Sequence, residues 1–485
     1  MAYLLLIFFP VAMSASCFVL RQHARLVSIA AIATVALQIV LVAQLPIDAP
    51  ARLLGLTLTL DPLGRLFLFT FLCVGGVAFL ATWWLPHGEN FIPVALLTLG
   101  LIGAIVLLLQ EPFVVSLLLI SAGLAVVLAI VDLPTGSPVL VGRATIATAL
   151  KYLVLTLIAG VMMYMAFVLL NIYQPGEVPE RVSPAHLILA LLVIGFGLRL
   201  AVMPFHSWLP DLAEDAAPMV SVIVITVINV TSLLFLITTF QFFPVLVIEN
   251  ERGMAIVMGI GAATAGLGAL LALAQSSMRR TLGYLIVYDA GMVLFGLATT
   301  TPVGLAGAVF ESFNQIIVVL LLFLCLGQLE RPDGRAAQQV RRDLLRRWPA
   351  AGAGFLGGGL ALLGLPPFNG FASKLLLYQA AIQRGSIYLA LLLAATALAV
   401  LALIRLAHDW LLGPAEELLA EEPPILLGTI ELDRTIERRL EPEPRSMVLL
   451  TGVLLALCLA IGLYPQPVLA TINEVIRGLT FIRTL

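Results

Sequence analysis

The sequence predicts an all-α polytopic membrane protein with about fourteen transmembrane helices. Hydrophobic residues make up 61% of its 485 residues and charged residues only 11%, whereas an ordinary soluble domain carries about 25% charged residues. The mean hydropathy is +1.09, and apolar runs of roughly 20 residues, enough to cross a bilayer, recur along the chain. The net charge of −2 gives no electrostatic case for nucleic-acid binding.

Apolar runs place the predicted spans. They lie near residues 3–20, 26–46, 64–84, 91–109, 112–132, 147–173, 184–208, 217–242, 254–274, 282–300, 303–327, 350–380, 386–411 and 447–465. The pairs that meet near residues 110 and 301 are the least clearly separated. The first run has no positive charge before it, which predicts a membrane helix and not a cleaved signal peptide.

Arginines predict the orientation. If the N-terminus is outside, the outer loops hold little beyond Arg52, Arg181, Arg252 and Arg384. The inner loops then hold the larger set of Arg21, Arg25, Arg143, Arg279, Arg280, Arg331, Arg335, Arg341, Arg342, Arg346, Arg347, Arg434, Arg438, Arg439 and Arg445. Because basic residues concentrate in cytoplasmic loops, both termini are predicted on the outer side of the cell (inner) membrane.

Two spans are interrupted by proline. RLAVMPFHSWLPD, residues 199–211, breaks the seventh span, and GLPPFNGFASK, residues 364–374, breaks the twelfth. Proline removes a backbone donor and kinks a helix. Breaks at membrane depth are tolerated within protein or beside a wet cavity. Paired breaks five spans apart predict two inverted five-helix repeats, spans 4–8 and 9–13, with a path at their interface; two unrelated kinks are the alternative.

These repeats divide the chain into five predicted segments. Residues 1–90 hold helices 1–3, residues 91–242 the first repeat, and residues 254–411 the second. The polar stretch 412–446 is predicted to be a cytoplasmic loop, either solvated or a docking surface for a neighbouring subunit. Residues 447–485 hold helix 14 and an amphipathic C-terminal tail.

Lysine is nearly absent from the chain, and one of its two lysines lies inside a predicted membrane helix. Lys374 follows the second break, and Lys151 opens the sixth span. A lysine at membrane depth costs about 2.5–3.5 kcal/mol on insertion scales, so Lys374 is predicted to have water, a partner or a function there. Snorkelling from a helix end is the alternative.

Several motifs resemble those of one family. They are LDPLGRLFLF, GLRLAVMPFHSWLPDLAEDAAPMVS, SSMRRTLGYLIVYDAGMVLFGLAT, LLGLPPFNGFASKLLL and IGLYPQPVLA. In this order they are similar to the antiporter-like membrane subunits of respiratory complex I, a proton-conducting transporter family shared with Mrp antiporters and membrane-bound hydrogenases. The resemblance covers spans 3 to 14. It implies the fold but discriminates poorly between the member complexes.

The resemblance also implies a mid-membrane line of ionisable residues, which is only partly kept here. The family's span 12 lysine matches Lys374, while its span 7 lysine matches Arg199, a poor proton carrier because arginine stays protonated. The span 5 glutamate matches Ala122, a lost path position. Asn229 on span 8 and Gln315 on span 11 stand where the family has titratable residues.

Asp289 and Glu311 are the candidate substitutes for the missing acid. They lie on spans 10 and 11 and could pair with Lys374 or Arg199 if they face inward. The alternatives are a local cap or salt bridge for Asp289 and a solvated helix end for Glu311.

Two further residues are candidates for the proton path. His206, beside the first break, could shuttle protons at the cytoplasmic mouth or hydrogen-bond freed backbone. Lys151 resembles a lysine of a family Lys–Tyr pair, or it snorkels at the interface.

Together these features predict an antiporter-like membrane subunit of a complex I-type NAD(P)H or ferredoxin:quinone oxidoreductase. The chain has no CxxC pair, and its GxGxxG spacing at residues 352–357 lies inside an apolar span and not after a strand, so it is no dinucleotide fingerprint. No cofactor is therefore expected in the chain; flavin, iron–sulfur clusters and quinone are expected in partner subunits. The chain alone is not expected to catalyse a reaction, and no catalytic or metal-binding residue is predicted.

Two questions stay open from the sequence. The subunit either conducts protons through Lys374 or is a pump-incompetent paralogue that keeps the architecture and transmits coupling. An Mrp-like cation/proton antiporter subunit or a membrane subunit of a hydrogenase is the alternative function, and a solute carrier acting alone is a weaker one. Related antiporter-like subunits and membrane lipids are the expected partners.

Overall fold

The computed structural model describes residues 2–53, 55–132, 143–172, 184–248, 250–330, 344–412, 443–479 and 481. Most of the predicted cytoplasmic loop at 412–446 therefore lies outside the described residues. The same holds for residues 173–183, 331–343 and 434–439, which carry many of the arginines that predicted the orientation.

The N-terminal segment contains three long helices and one short hairpin. Helices α1 (Ala2–Val19) and α2 (Ala24–Gln44) precede strands β1 (Ala51–Leu53) and β2 (Leu56–Leu58), and α3 (Pro62–Ala81) follows. The strands are antiparallel, with Ala51 opposite Leu58. The hairpin is an addition to the predicted all-α fold.

The next segment contains the first break. Its elements are α4 (Phe91–Leu107), α5 (Pro112–Val131), α6 (Arg143–Ile172), α7 (Pro184–Arg199), a 3₁₀ turn (Phe205–Ser207) and α8 (Trp208–Asp215). One continuous helix then runs through α9 (Pro218–Val222), a π-helical turn (Ile223–Ile228) and α10 (Asn229–Phe242), and the short α11 (Val245–Ile248) follows.

The remaining described helices contain the second break. They are α12 (Glu251–Ala274), α13 (Met278–Ala298), α14 (Pro302–Leu329), α15 (Leu344–Arg347), α16 (Pro349–Leu362), α17 (Gly370–Arg384), α18 (Ser386–Leu406) with a π-helical end (Ala407–Leu412), α19 (Arg445–Leu463) and the amphipathic α20 (Gln466–Arg477).

Local signals fix several helix starts. The side chains of Asp61, Ser277 and Thr301 each accept a hydrogen bond from the backbone N–H three residues later, which satisfies a donor that the first helical turn leaves free. These caps separate α12 from α13 and α13 from α14 although few polar residues lie between them. The pair predicted to meet near residue 301 is thus two helices, and the pair near residue 110 is also two helices, with α5 beginning at Pro112.

Among the described residues, eleven helices are long and apolar enough to cross a membrane, and three shorter apolar helices cover Phe91–Leu107, His186–Arg199 and Pro349–Leu362. The protein is therefore a multi-pass membrane protein. The count of fourteen spans stays a prediction, since the shorter helices fall below the length of a full crossing.

Three helices form the centre of the bundle. All of the apolar window of Pro218–Phe242 is buried within the chain, as is 94% of the windows of α13 and α14, against 22% for α1 and α19. Polar residues in the middle of α13 or α14 therefore face other helices and not lipid.

The two breaks share the same backbone course. Two residues after α7 ends, Ala201 has a φ of +55°, and two residues after α16 ends, Gly364 has a φ of +71°. The next backbone N–H in each break bonds back over five residues, Val202 to Gly197 and Leu365 to Leu360, both at 3.0 Å. A cis proline follows each, at Met203–Pro204 and Pro366–Pro367. Corresponding positions are 163 residues apart; the two inverted five-helix repeats stay a prediction.

Arg279, at the start of α13, joins three helices. Its Nε lies 2.7 Å from Glu330 Oε1 at the end of α14. Its Nη1 donates to the carbonyls of Ala216 at 2.7 Å and Glu214 at 3.1 Å, at the C-terminal end of α8. The last carbonyls of a helix have no intrahelical partner, so Arg279 caps α8 and ties the first break to the second half of the chain.

Candidate functional site

A buried lysine lies between two buried carboxylates in the bundle interior. Lys374, in the first turns of α17, is 1% exposed, Asp289 in α13 is 0% exposed and Glu311 in α14 is 2% exposed. The Lys374 Nζ lies 2.7 Å from Asp289 Oδ1 and 2.7 Å from Glu311 Oε1. We call Lys374, Asp289 and Glu311 the buried triad.

The second break holds the triad in place. The Ser373 hydroxyl donates to Glu311 Oε2 and accepts from the Asn314 amide at 2.9 Å. Asn314 also donates to the carbonyl of Asn369 at 3.1 Å, and the Asn369 amide donates back to Asn314 Oδ1 at 3.1 Å. This exchange of amide bonds fastens the start of α17 to α14, so the orientation of Glu311 depends on the break.

Gly364 leaves the space that the lysine stem occupies. A Cβ at this position would lie 2.6 Å from Lys374 Cδ and 2.9 Å from the carbonyl oxygen of Gly370. The φ of +71° is also one that glycine adopts at little cost and other residues adopt with strain.

We expect Gly364→Ala to lower the free energy of unfolding by about 1–3 kcal/mol, because it adds both a strained φ and a contact with Lys374. Thermal unfolding of the purified chain in mild detergent, followed by tryptophan fluorescence, measures this. The matched variant is Ala201→Gly at the first break, which removes a left-handed alanine that costs roughly 1–2 kcal/mol. Equal loss in both variants would contradict the strain argument.

Hydroxyl groups lead away from the triad toward the outside of the bundle. Lys374 Nζ lies over the Tyr288 ring, 5.0 Å from its centroid. The Tyr288 hydroxyl is 2.8 Å from Thr396 Oγ1, which is 2.7 Å from the hydroxyl of the half-buried Tyr378. Sequence reasoning did not identify Tyr288, Ser373, Thr396 or Tyr378. Tyr288 and Ser373 are direct neighbours of Asp289 and Lys374, which was the available signal.

Arg199, at the end of α7, has a very different environment. It is 5% exposed, its Nε donates to Ser232 Oγ at 2.9 Å, and neither Nη atom has a partner among the described residues. Ala122, the lost path position on α5, is fully buried and offers no countercharge. The structure therefore brings no carboxylate to Arg199 within the described part of the chain.

Two small cavities extend from Arg199 toward the triad. One of about 10 Å³ is lined by Arg199, Tyr152, Thr156 and Asn229, among others. A second of about 30 Å³ is lined by Asn229 and by Ser312 and Gln315 of α14, the residues next to and one turn after Glu311. One water molecule needs about 10–15 Å³ of such cavity volume. The two cavities together, of about 10 and 30 Å³, therefore have room for about three waters. Asn229 borders both.

Lys151 and His206 lie away from the triad. Lys151 is 35% exposed, and its Nζ lies 2.7 Å from Asp211 Oδ2. The other carboxylate oxygen of Asp211, Oδ1, lies 3.1 Å from Arg280 Nη2. His206 lies in the 3₁₀ turn with its ring 6.0 Å from that of Tyr284, and its Nδ1 has no partner among the described atoms. Their predicted path roles stay predictions, at the more exposed end of the first break.

Comparison with known proteins assigns the chain to a family. Residues 140–399 match the family model described as NADH:quinone oxidoreductase/Mrp antiporter, TM. That match covers both breaks, Lys374 and the two acids of the triad. The chain belongs to this family.

Curated relatives of this family member come from two kinds of complex. NADH-quinone oxidoreductase subunit N 2 of Syntrophobacter fumaroxidans is 28% identical over 313 residues, 63% of this chain and 60% of that protein. The same-named protein of Acidobacterium capsulatum is 34% identical over 203 residues, 40% of this chain and 41% of that one. A putative antiporter subunit, mnhD2, of Staphylococcus aureus is 31% identical over 167 residues, 34% of each chain. The chain spans about half the length of the curated relatives it matches.

Solved structures share the fold of this family member over nearly their full length. A chain of the Mrp complex from Dietzia matches with a TM-score of 0.81 at 18% identity, covering 99% of this chain and 97% of that one. A chain of respiratory complex I from Thermus thermophilus matches with a TM-score of 0.77 at 17% identity, covering 99% of each. At such identities the likeness shows the fold alone.

Proposed function

We propose that this chain is an antiporter-like membrane subunit of a complex I-type NAD(P)H or ferredoxin:quinone oxidoreductase and that it moves protons through the half of its polar path that contains the buried triad. The observation that carries the proposal is Lys374 placed between Asp289 and Glu311 at the centre of the bundle. Ionisable residues inside membrane proteins are costly, pair with one another and mark ion or proton pathways.

The two halves of the path differ in what they can do. The second half offers two carboxylates that can exchange protons, each in direct contact with Lys374. The first half offers Arg199, which keeps its charge, and Asn229, which does not titrate. We infer that the first half contributes a fixed charge and a few water positions, while the second half carries the proton.

An Mrp-like cation/proton antiporter subunit or a membrane-bound hydrogenase subunit is the second candidate. The similarity to an antiporter subunit of Staphylococcus aureus and the fold of the Dietzia Mrp complex favour it. Co-purification separates the candidates: redox subunits with flavin, iron–sulfur clusters or quinone would support the first, and their absence from an intact complex would support the second.

The proposal places the chain in the cell (inner) membrane with both termini on the outer side. Other membrane subunits of the same complex, including related antiporter-like subunits, are its proposed neighbours. The chain carries no cofactor in this scheme, and the redox chemistry takes place in the partner subunits.

Proton pumping by the intact complex in proteoliposomes tests the proposal. The test variant combines Lys374→Met, Asp289→Asn and Glu311→Gln, which removes all three charges together and leaves no buried charge without a partner. We expect a lower ratio of protons pumped to electrons transferred than in the wild type. The control is Arg405→Gln, at an exposed arginine near the end of α18. An unchanged ratio at matched assembly and electron-transfer rate would leave the subunit as a scaffold.

A further inference from the structure

One oxygen of the triad has no partner. Asp289 Oδ1 and Glu311 Oε1 both contact Lys374, and Glu311 Oε2 accepts from Ser373. Asp289 Oδ2 is buried without a hydrogen-bond partner among the described atoms. Buried polar atoms in native proteins are nearly always paired, so an unpaired carboxylate oxygen in the core calls for a physical reason.

The surroundings of Lys374 favour its charged form. Its Nζ is within 2.7 Å of two carboxylate oxygens and faces the Tyr288 ring, and both kinds of contact stabilise an ammonium ion. Loss of the lysine proton would leave two carboxylates in mutual contact range with no cation between them. The geometry therefore holds Lys374 as a fixed positive charge.

The charges of the triad then leave room for one proton. One ammonium and two carboxylates sum to −1, and a net charge is costly in a bundle interior. Because both carboxylates lie 2.7 Å from the same nitrogen, they are within twice that distance of each other, and two carboxylates so close share protons readily. Binding one proton neutralises the triad, and the only carboxylate oxygen free to take it is Asp289 Oδ2.

We propose that Asp289 Oδ2 carries the transported proton and that Lys374 stays protonated throughout. That a proton is transported rests on the proposed function. In the loading step a hydronium ion gives its proton to Oδ2, an O–H bond forms and a water molecule is left. In the release step that O–H bond breaks and a water molecule accepts the proton. Lys374 and Ser373 act as positioning residues, since they fix the other three oxygens.

Few other titratable groups face Asp289. The neighbours that do are Lys374, Glu311 and Tyr288, and Tyr378 faces Lys374. The apposed parts of α12 (253–274), α16 and α18 (389–404) contain no charged residue. The acids of α8 lie at the far end of α13, where Asp211 pairs with Lys151, Glu214 accepts from Ser277 and Asp215 accepts from Thr148.

Infrared spectroscopy of the full chain in its intact complex tests the proposal. A pH titration should reveal one protonated carboxyl C=O band that is shielded from solvent. We expect ¹³C in the side-chain carboxyls of aspartate to shift the band and ¹³C in those of glutamate to leave it in place. The band should be lost in Asp289→Asn and kept in Lys374→Arg and in the control Glu474→Gln on the exposed face of α20. A band that shifts with labelled glutamate but not with labelled aspartate, or no such band at any pH at which the protein is folded, would overturn the proposal.

Two arrangements keep the test decisive. Should Asp289→Asn fail to fold, the labelled wild type and Asp289→Glu still decide, because in Asp289→Glu the band should shift with labelled glutamate and no longer with labelled aspartate. The outcome is also separable from that of the pumping experiment. A band assigned to Asp289 with an unchanged pumping ratio in the triple variant would refute the proposed function alone; a lowered ratio without the band would refute this inference alone.

Discussion

The single variant Lys374→Met should be less stable than the wild type by about 3–5 kcal/mol, because removing one partner of a buried ion pair leaves uncompensated charge behind. Here two carboxylates lose the same cation, and each is at most 2% exposed. Thermal or denaturant unfolding of the purified chain in detergent, followed by tryptophan fluorescence, measures the loss.

The control for this prediction is the triple variant Lys374→Met, Asp289→Asn, Glu311→Gln. Replacing a whole buried charged group with neutral side chains of similar shape is often close to neutral for stability, so the triple variant should recover most of the loss. If the single variant were as stable as the wild type, the carboxylates would gain protons at no cost in free energy, and the charge of Lys374 would not be what offsets theirs.

Arg279→Met should also lower the stability of the chain, by about 2–4 kcal/mol. Hydrogen bonds to charged groups contribute roughly 1.5–3 kcal/mol each. Arg279 makes several of them, and water competes for them because the side chain is 20% exposed. It loses the contact with Glu330 and the bonds to the carbonyls at the end of α8. Thermal unfolding measures the loss, and proteolysis near α8 should become faster.

Arg199→Met is the matched control for Arg279→Met. Both change an arginine of the bundle to the same side chain, but Arg199 makes a single side-chain hydrogen bond, to Ser232, and has no carboxylate partner among the described residues. Its replacement should cost far less, because it also removes a buried charge without a countercharge. Equal losses would show that Arg199 has a partner, such as ordered water, worth as much as a salt bridge.

Much of the fold could be predicted because the bilayer constrains it. Span length, proline breaks and the spacing of the motifs each follow from the need to satisfy every backbone group inside lipid. That reasoning did not predict the β1–β2 hairpin. LGLTLTL does alternate in the manner of a strand, and Gly55, with a φ of +83°, supplies the turn, but six residues carry little weight in a chain of long apolar runs.

The candidate site, like the fold, could be predicted only in part. The sequence predicted a partner for Lys374, because a lysine in an apolar helix needs one. The sequence did not predict whether Asp289 and Glu311 face that lysine. Helices α13 and α14 are buried on all sides, and a helix that is apolar all round has no amphipathic stripe to mark one face. Their pairing depends on how three helices from distant parts of the chain are rotated, which no local spacing encodes.

The small size of the two cavities beside Asn229 has a kinetic consequence. Besides Asn229, Ser312 and Gln315, the larger one is lined by aliphatic side chains such as Leu200, Ile225 and Leu294. A narrow aliphatic constriction empties and fills in bursts, and such dewetting is itself a gate. Under the proposed function, proton transfer between the two halves would follow the lifetime of a transient water column. The rate would then depend on how often the constriction fills with water and not only on the proton affinity of any one residue.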